Sequence, residues 1–173
     1  MKQILKLIEV RGFTLDMETA REIAKKHEIE EERLFFARKD KTGLVVFIAR
    51  DDEKKIYAIA LDQLDDVRYI CVTEDQVRQS VIRHPKLDTI DITFFTKEEL
   101  LFNPLEHVYN GLNASIVKLD NIDVTKFPRI SRNDPTAKYL GAKPGEVIRF
   151  EVTSPIPGTL LDKEITFRYV VDS

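Results

Sequence analysis

Apolar residues recur at helical spacing at Ile4, Leu5, Leu7 and Ile8, and Gly12 follows shortly after. This predicts a first helix that stops at Gly12. Asp16 precedes Met17 to His27, where Ala20 and Ile23 share one side, and predicts a capped second helix. Leu34 to Arg38, Leu44 to Arg50, Ile56 to Leu61 and Val67 to Val72 are short runs rich in Val, Ile, Phe and Tyr, which predicts strands. Acidic turns separate them at Asp51-Asp52-Glu53 and at Asp62 to Asp66. Glu74 to Arg83 places Val77, Val81 and Ile82 on one side and predicts a helix ended by Pro85. Thr89 to Phe95 predicts another strand. Thr96 and Glu99 are spaced as a capping box for a last helix, which Asn103-Pro104 breaks. The order of helices and strands predicts an α/β domain over residues 1–103.

Residues 104–126 carry turn signals at Asn110-Gly111 and Asn113 and are expected to connect two domains. Residues 127–173 form the second. Its opening, FPRISRNDPTAKYLGAKPG, is dense in start and stop signals. Asp134 can accept hydrogen bonds from the free amides of a first helical turn, and Pro135 fits the first helical position, where no amide is needed. Gly141 is expected to end that helix in the left-handed conformation. Lys143-Pro144-Gly145 predicts a tight turn into a strand from Glu146 to Glu151. Five cations and two acids lie between Arg129 and Arg149, so this stretch is basic although the chain is acidic.

Pro128-Arg129-Ile130, Asp134-Pro135, Ala137 to Gly141, Lys143-Pro144-Gly145 and the closing Ile165-Thr166-Phe167-Arg168-Tyr169-Val170-Val171 together resemble one family. It is the small assembly subunit of multisubunit RNA polymerases, called subunit 5 in eukaryotes and represented in archaea by a shorter counterpart. The resemblance implies a small α+β carboxy-terminal assembly domain that docks on the largest polymerase subunit, near the omega-like small subunit 6. Arg11-Gly12-Phe13 is similar to the step that ends the first helix of full-length members. Those members carry an amino-terminal jaw domain with a restriction-endonuclease-like core, helices around a mixed sheet; the archaeal form lacks it. A loop and helix start in the jaw approach downstream DNA, by position Thr73, Gln76 and the following residues here.

Some features depart from the family pattern. Val108 to Phe127 is short for the helix that members carry between their domains, and only Ile116-Val117-Lys118 resembles its end. Val152-Thr153-Ser154-Pro155 stands where members have an Arg-Pro-Ser step. Ile156 to Asp162 reads as a lengthened hairpin loop. Glu74 and Asp75 lie at the supposed DNA approach, and acids repel phosphate. Arg78, Arg83 and Lys86 are the better DNA-proximal candidates. These departures suggest a divergent member, of cellular or viral origin.

Composition narrows the chemistry. The net charge of −3 is too close to neutral to advertise nucleic-acid binding by the whole molecule. The single cysteine, Cys71, sits in an apolar run, where a buried inert thiol is the expected state. Charge interrupts the first residues, so no signal peptide is expected, and no apolar run reaches membrane-spanning length. His27, His84 and His107 lack ligand spacing, so no zinc site is expected. Asp40 with Glu53-Lys54-Lys55 permits a Mg²⁺-nuclease arrangement, in which carboxylates hold the metal and a lysine orients water. The alternative is a solvated hairpin tip, and the run of charges favours it. Tyr139, Phe150, Phe167 and Tyr169 could form a base-stacking platform, but Phe167 and Tyr169 alternate on one strand face and are expected to pack in a core.

The resulting expectation is a non-catalytic polymerase subunit without a cofactor or membrane contact, working in a hetero-oligomer. Its docking candidates are Arg129, Arg132, Lys138, Lys143, Arg149 and Arg168. Arginine is favoured at interfaces because its planar fork pairs two ways with carboxylates. A weak contact with downstream duplex DNA is expected inside the complex. A cellular copy implies the nucleus; a viral one implies the cytoplasm of the infected cell or the virion. The alternatives are a stand-alone nuclease and an interaction module for another partner.

Overall fold

A computed structural model of the chain describes residues 1–62, 66–75, 90–105, 113–153 and 163–172. They fall into two compact units, Met1–Leu101 and Phe102–Ser173, each mixed α/β and each built on its own mixed sheet.

In the first unit, α1 (Lys2–Val10) ends at Arg11, and Gly12 takes a φ of 75°, so the expected stop is where the chain turns. Strand β1 (Thr14–Leu15) leads into α2 (Met17–Lys26). The Asp16 carboxylate accepts the Thr19 amide at 3.1 Å and caps α2. After a 3-10 turn at Glu31–Arg33 come β2 (Leu34–Lys39) and β3 (Thr42–Ile48). Lys39 pairs with Thr42, so Asp40-Lys41 is a two-residue hairpin turn, with Asp40 at φ 53°. Then follow α3 (Lys55–Leu61), β4 (Val67–Thr73), β5 (Ile92–Thr96) and α4 (Lys97–Leu101). The five strands stand in chain order, β1-β2-β3-β4-β5. The β1–β2 and β2–β3 pairs are antiparallel; β3–β4 and β4–β5 are parallel.

The apolar run Ile56 to Leu61, expected as a strand, is helix α3. Topology demands it: β3 and β4 are parallel, and parallel neighbours need a crossover, not a hairpin. Ile56, Tyr57, Ile59 and Ala60 are buried, a helical spacing that a six-residue apolar run also offers to a strand. Asp51-Asp52-Glu53 is therefore a strand-to-helix turn rather than a hairpin tip. Of the expected helix Glu74 to Arg83, Glu74 and Asp75 form a bend, and the rest lies outside the described residues. The capping box at α4 is formed: the Glu99 amide donates to Thr96 Oγ1 at 3.1 Å, and the Thr96 amide donates to Glu99 Oε2 at 2.8 Å.

The central strands are buried almost continuously, from Leu34 to Ala37, Leu44 to Phe47 and Tyr69 to Val72. Such runs belong to a sheet covered on both faces. Phe36, Val45, Phe47 and Cys71 join a core with Ala20, Ile23 and Ala24 of α2 and Ile56 and Ile59 of α3. Elsewhere in the unit α1 packs against α4, and Ile4, Leu7, Ile8 and Leu100 are buried.

In the second unit, β6 (Asn113–Val117) arises within the stretch expected to be a connector. A 3-10 turn at Val124–Lys126 precedes β7 (Arg129–Ser131), α5 (Pro135–Leu140), β8 (Val147–Thr153) and β9 (Lys163–Val171). The sheet order is β6-β8-β9-β7. Only β7–β9 is parallel. The Asp134 carboxylate accepts the Thr136 amide at 2.9 Å, Pro135 opens α5, and Gly141 closes it at φ 70°. The Ala142 amide then donates back to Ala137 O at 2.9 Å, which satisfies a carbonyl left free at the helix end. The Glu146 amide donates to Lys143 O at 3.0 Å and closes the expected tight turn, with Gly145 at φ 94°.

Two measurements check these elements. Gly141→Val forces a β-branched residue into the left-handed region and should destabilise the protein by about 1–2 kcal/mol or more; an unchanged melting temperature would contradict the α5 stop. The Asp16 carboxyl is lowered from its ordinary 3.8 to about 2, first by the Thr19 amide, then by Arg38 and the Thr19 hydroxyl. Its folded value lies below its unfolded one, so its stabilisation is complete above pH ~4 and is lost as pH falls toward 2. Asp16→Ala should flatten the stability-against-pH curve in that window, and a curve parallel to that of the unmodified chain would refute the assignment.

Candidate functional site

The register of the second sheet sorts the basic residues of the carboxy-terminal unit. Tyr169 stands opposite Val147, Phe167 opposite Arg149 and Ile165 opposite Glu151. Arg129 pairs in register with Tyr169. Side chains alternate along a strand, so Arg129, Arg149, Glu151, Ile165, Phe167 and Tyr169 share one face. Arg168 stands opposite Ile148 and projects from the other face. The six cations therefore do not form one surface. Arg149 pairs with Glu151 at 2.9 Å, and Arg132 with Asp172 at 3.3 Å. Lys138 lies on α5, and the amide of the turn residue Lys143 donates to Glu146 Oε2 at 2.7 Å. Arg129 is exposed and has no ion pair among the described residues.

The aromatic residues divide in the same way. Tyr139 is buried in the core, as expected. Phe167 and Tyr169 are not: they are half-buried, and the fully buried residues of these strands, Ile148 and Val170, occupy the opposite face. Phe127 stacks on Phe167 with ring centres 5.4 Å apart. Ile165, at the other end of the row, is 49% exposed. Neither Phe127 nor Ile165 stands out in the sequence, because the first is brought in by a loop and the second by cross-strand register.

In the amino-terminal unit, Thr73 is 3% exposed, and its hydroxyl donates to Asp75 O at 2.7 Å. Glu74 forms an ion pair with Lys97. Gln76, Arg78, Arg83 and Lys86 lie outside the described residues, as do His84 and His107. Acids and bases are equal in number from Phe102 onward, so the whole net charge of −3 resides on the first unit.

The nuclease arrangement is not formed. Asp40 precedes β3 and Glu53 follows it, so a strand of seven residues, about 20 Å long, separates them. A metal needs convergent carboxylates, and among the described residues no three acids, histidines or cysteines converge. Asp52, between them in sequence, is held by Arg33. That buried guanidinium donates to Asp52 Oδ1 at 2.5 Å and to Ile48 O at 2.9 Å, and lies over the Phe47 ring. Burial pulls the Asp52 carboxyl up, but the Arg50 amide and the Arg33 guanidinium together hold it below its ordinary value. Burial, reinforced by Glu53 and Asp52, pushes the Cys71 thiol up to about 12. His27 Nε2 stands 3.3 Å from Asp62, which also pairs with Lys26 at 2.5 Å.

The comparisons with known proteins agree with this arrangement. The family described as RNA polymerase Rpb5, C-terminal domain, matches residues 111–170. DNA-directed RNA polymerase subunit Rpo5 of Sulfolobus acidocaldarius is 35% identical over 86 residues, covering 50% of this chain and 89% of that protein. DNA-directed RNA polymerases I, II, and III subunit rpabc1 of Dictyostelium discoideum is 23% identical over 201 residues, covering 99% of this chain and 100% of that protein. A mixed sheet with one helix-backed face, in a match of this extent, defines a component of the transcription machinery rather than a free-standing enzyme fold. The chain belongs to the subunit 5 family of DNA-directed RNA polymerases.

The raised Cys71 value gives a direct check. A maleimide should label the native protein no faster than it unfolds, since the thiolate is the nucleophile and the thiol is buried. Rapid stoichiometric labelling without unfolding would contradict the burial.

Proposed function

We propose that this chain is a non-catalytic subunit whose carboxy-terminal unit docks on the largest polymerase subunit and whose amino-terminal unit borders the downstream DNA channel. The carrying observation is the extent of the two matches. An archaeal subunit is covered over 89% of its length by a stretch half as long as this chain, and a eukaryotic one is covered throughout. A unit of that size is thus enough for one subunit, and the second unit adds a separate task. The omega-like small subunit is the expected neighbour on the docked side.

The contribution of the amino-terminal unit is geometric. Its net negative charge gives little counterion release on a duplex, so any DNA contact is weak and depends on the assembled complex. Arg78, Arg83 and Lys86 are the residues proposed to approach phosphate. The chemistry of nucleotide addition belongs to other subunits. A cellular copy works in the nucleus; a viral copy works in the cytoplasm of the infected cell or is carried in the virion.

Native affinity purification of the tagged full chain tests the assignment. It should recover the two largest polymerase subunits in stoichiometric amount. Their absence would overturn the proposal. The purified chain with Mg²⁺ should leave plasmid DNA supercoiled; cleavage that disappears in Asp40→Ala would establish a nuclease instead.

A further inference from the structure

Resting on that reading, the register of the second sheet identifies which of its faces meets the partner. Ile165, Phe167 and Tyr169 form a row along β9, about 7 Å from one to the next. Phe127 extends the row sideways by stacking on Phe167. The 3-10 turn at Val124–Lys126 packs against β9 and borders the row on one side. Apart from Val147, which is buried opposite Tyr169, the residues described on this face are exposed or half-buried. The core lies behind the sheet. Ile148, Val170 and Ala114 are buried on the opposite face, and α5, which buries Ala137, Tyr139 and Leu140, packs against β6, the strand that carries Ala114. No described helix covers the row.

Charge decides what kind of partner fits. Arg149 is already paired with Glu151 on this face, which leaves Arg129, beside Tyr169, as the cation without an ion pair among the described residues. An apolar row with one cation at its end complements an apolar stripe that ends in a carboxylate. A flat sheet face receives a helix rather than a strand, because a strand pairs with an edge. We infer that the Ile165–Phe167–Tyr169 face with Arg129 receives an amphipathic helix of the largest polymerase subunit, whose apolar stripe ends in an Asp or Glu against Arg129. Arg168 and the exposed Ile116, on the opposite face, take no part in it.

The test compares the two faces in the full-length chain co-expressed with the largest subunit. Ile165 and Ile116 are both exposed, at 49% and 38%, so aspartate at either site should leave folding intact, which the melting temperature verifies. Ile165→Asp and Arg129→Glu should each lower recovery of the largest subunit about tenfold or more, as loss of an interface anchor does. Ile116→Asp and Arg168→Glu should leave recovery within about twofold of the unmodified chain. Normal recovery by the first pair, or loss by the second, overturns the assigned face and leaves the polymerase reading standing. Failure of the unmodified chain to recover the largest subunit overturns both. A dimer of the isolated chain, seen by light scattering and abolished by Ile165→Asp, would assign the face to a second copy and also overturn the inference.

Discussion

The β8–β9 ladder is the constraint on which the carboxy-terminal unit depends. Its pairs run from Val147 with Tyr169 to Thr153 with Lys163, and the fully buried Ile148 and Val170 hold it in register. A slip by one residue would turn every side chain to the other face. Ile148 and Val170 would lose their cover, and Phe167 and Tyr169 would be driven against α5. The same alternation that builds the core thus determines which aromatic residues remain outside it. A core and a docking face arise from one pattern, and neither can be altered without the other.

The amino-terminal unit rests on a different constraint. Its parallel strands oblige the chain to cross over between β3 and β4, and that crossover consumes the charged segment from Asp51 to Lys55. Arg33 fixes the turn through Asp52 and the Ile48 carbonyl. Charges that could be imagined around a metal are instead a strand-to-helix junction. The result is a well-packed unit with net negative charge and, among the described residues, no convergent acids. Such a unit suits a rigid structural element better than a reaction centre.

Much of this was legible in the sequence wherever the signal was local. Asp16 and Asp134-Pro135 start helices, Gly141 ends one, and Thr96 with Glu99 form a capping box, because each needs partners no more than a turn away. The family was legible for the same reason: its motifs between Pro128 and Gly145 are contiguous signals of helix and turn. Three features were not legible. Ile56 to Leu61 is an apolar run whose spacing suits either period, and only the parallel pairing of its neighbours decides it. Asn113–Val117 is too short and too little alternating to declare itself a strand before β8 pairs with it. The cations looked like one surface because they are close in sequence, whereas register between strands far apart in the chain places Arg149 and Arg168 on opposite faces.

The central claim is that the sheet of the second unit keeps its core on one face and offers the other to the polymerase. Hydroxyl-radical footprinting of the chain, free and within the purified polymerase, measures this residue by residue. Oxidation of Ile165, Phe167 and Tyr169 should fall on assembly while that of Ile116 stays the same. Equal oxidation of the β9 row in both states, with protection at Ile116, would contradict the account.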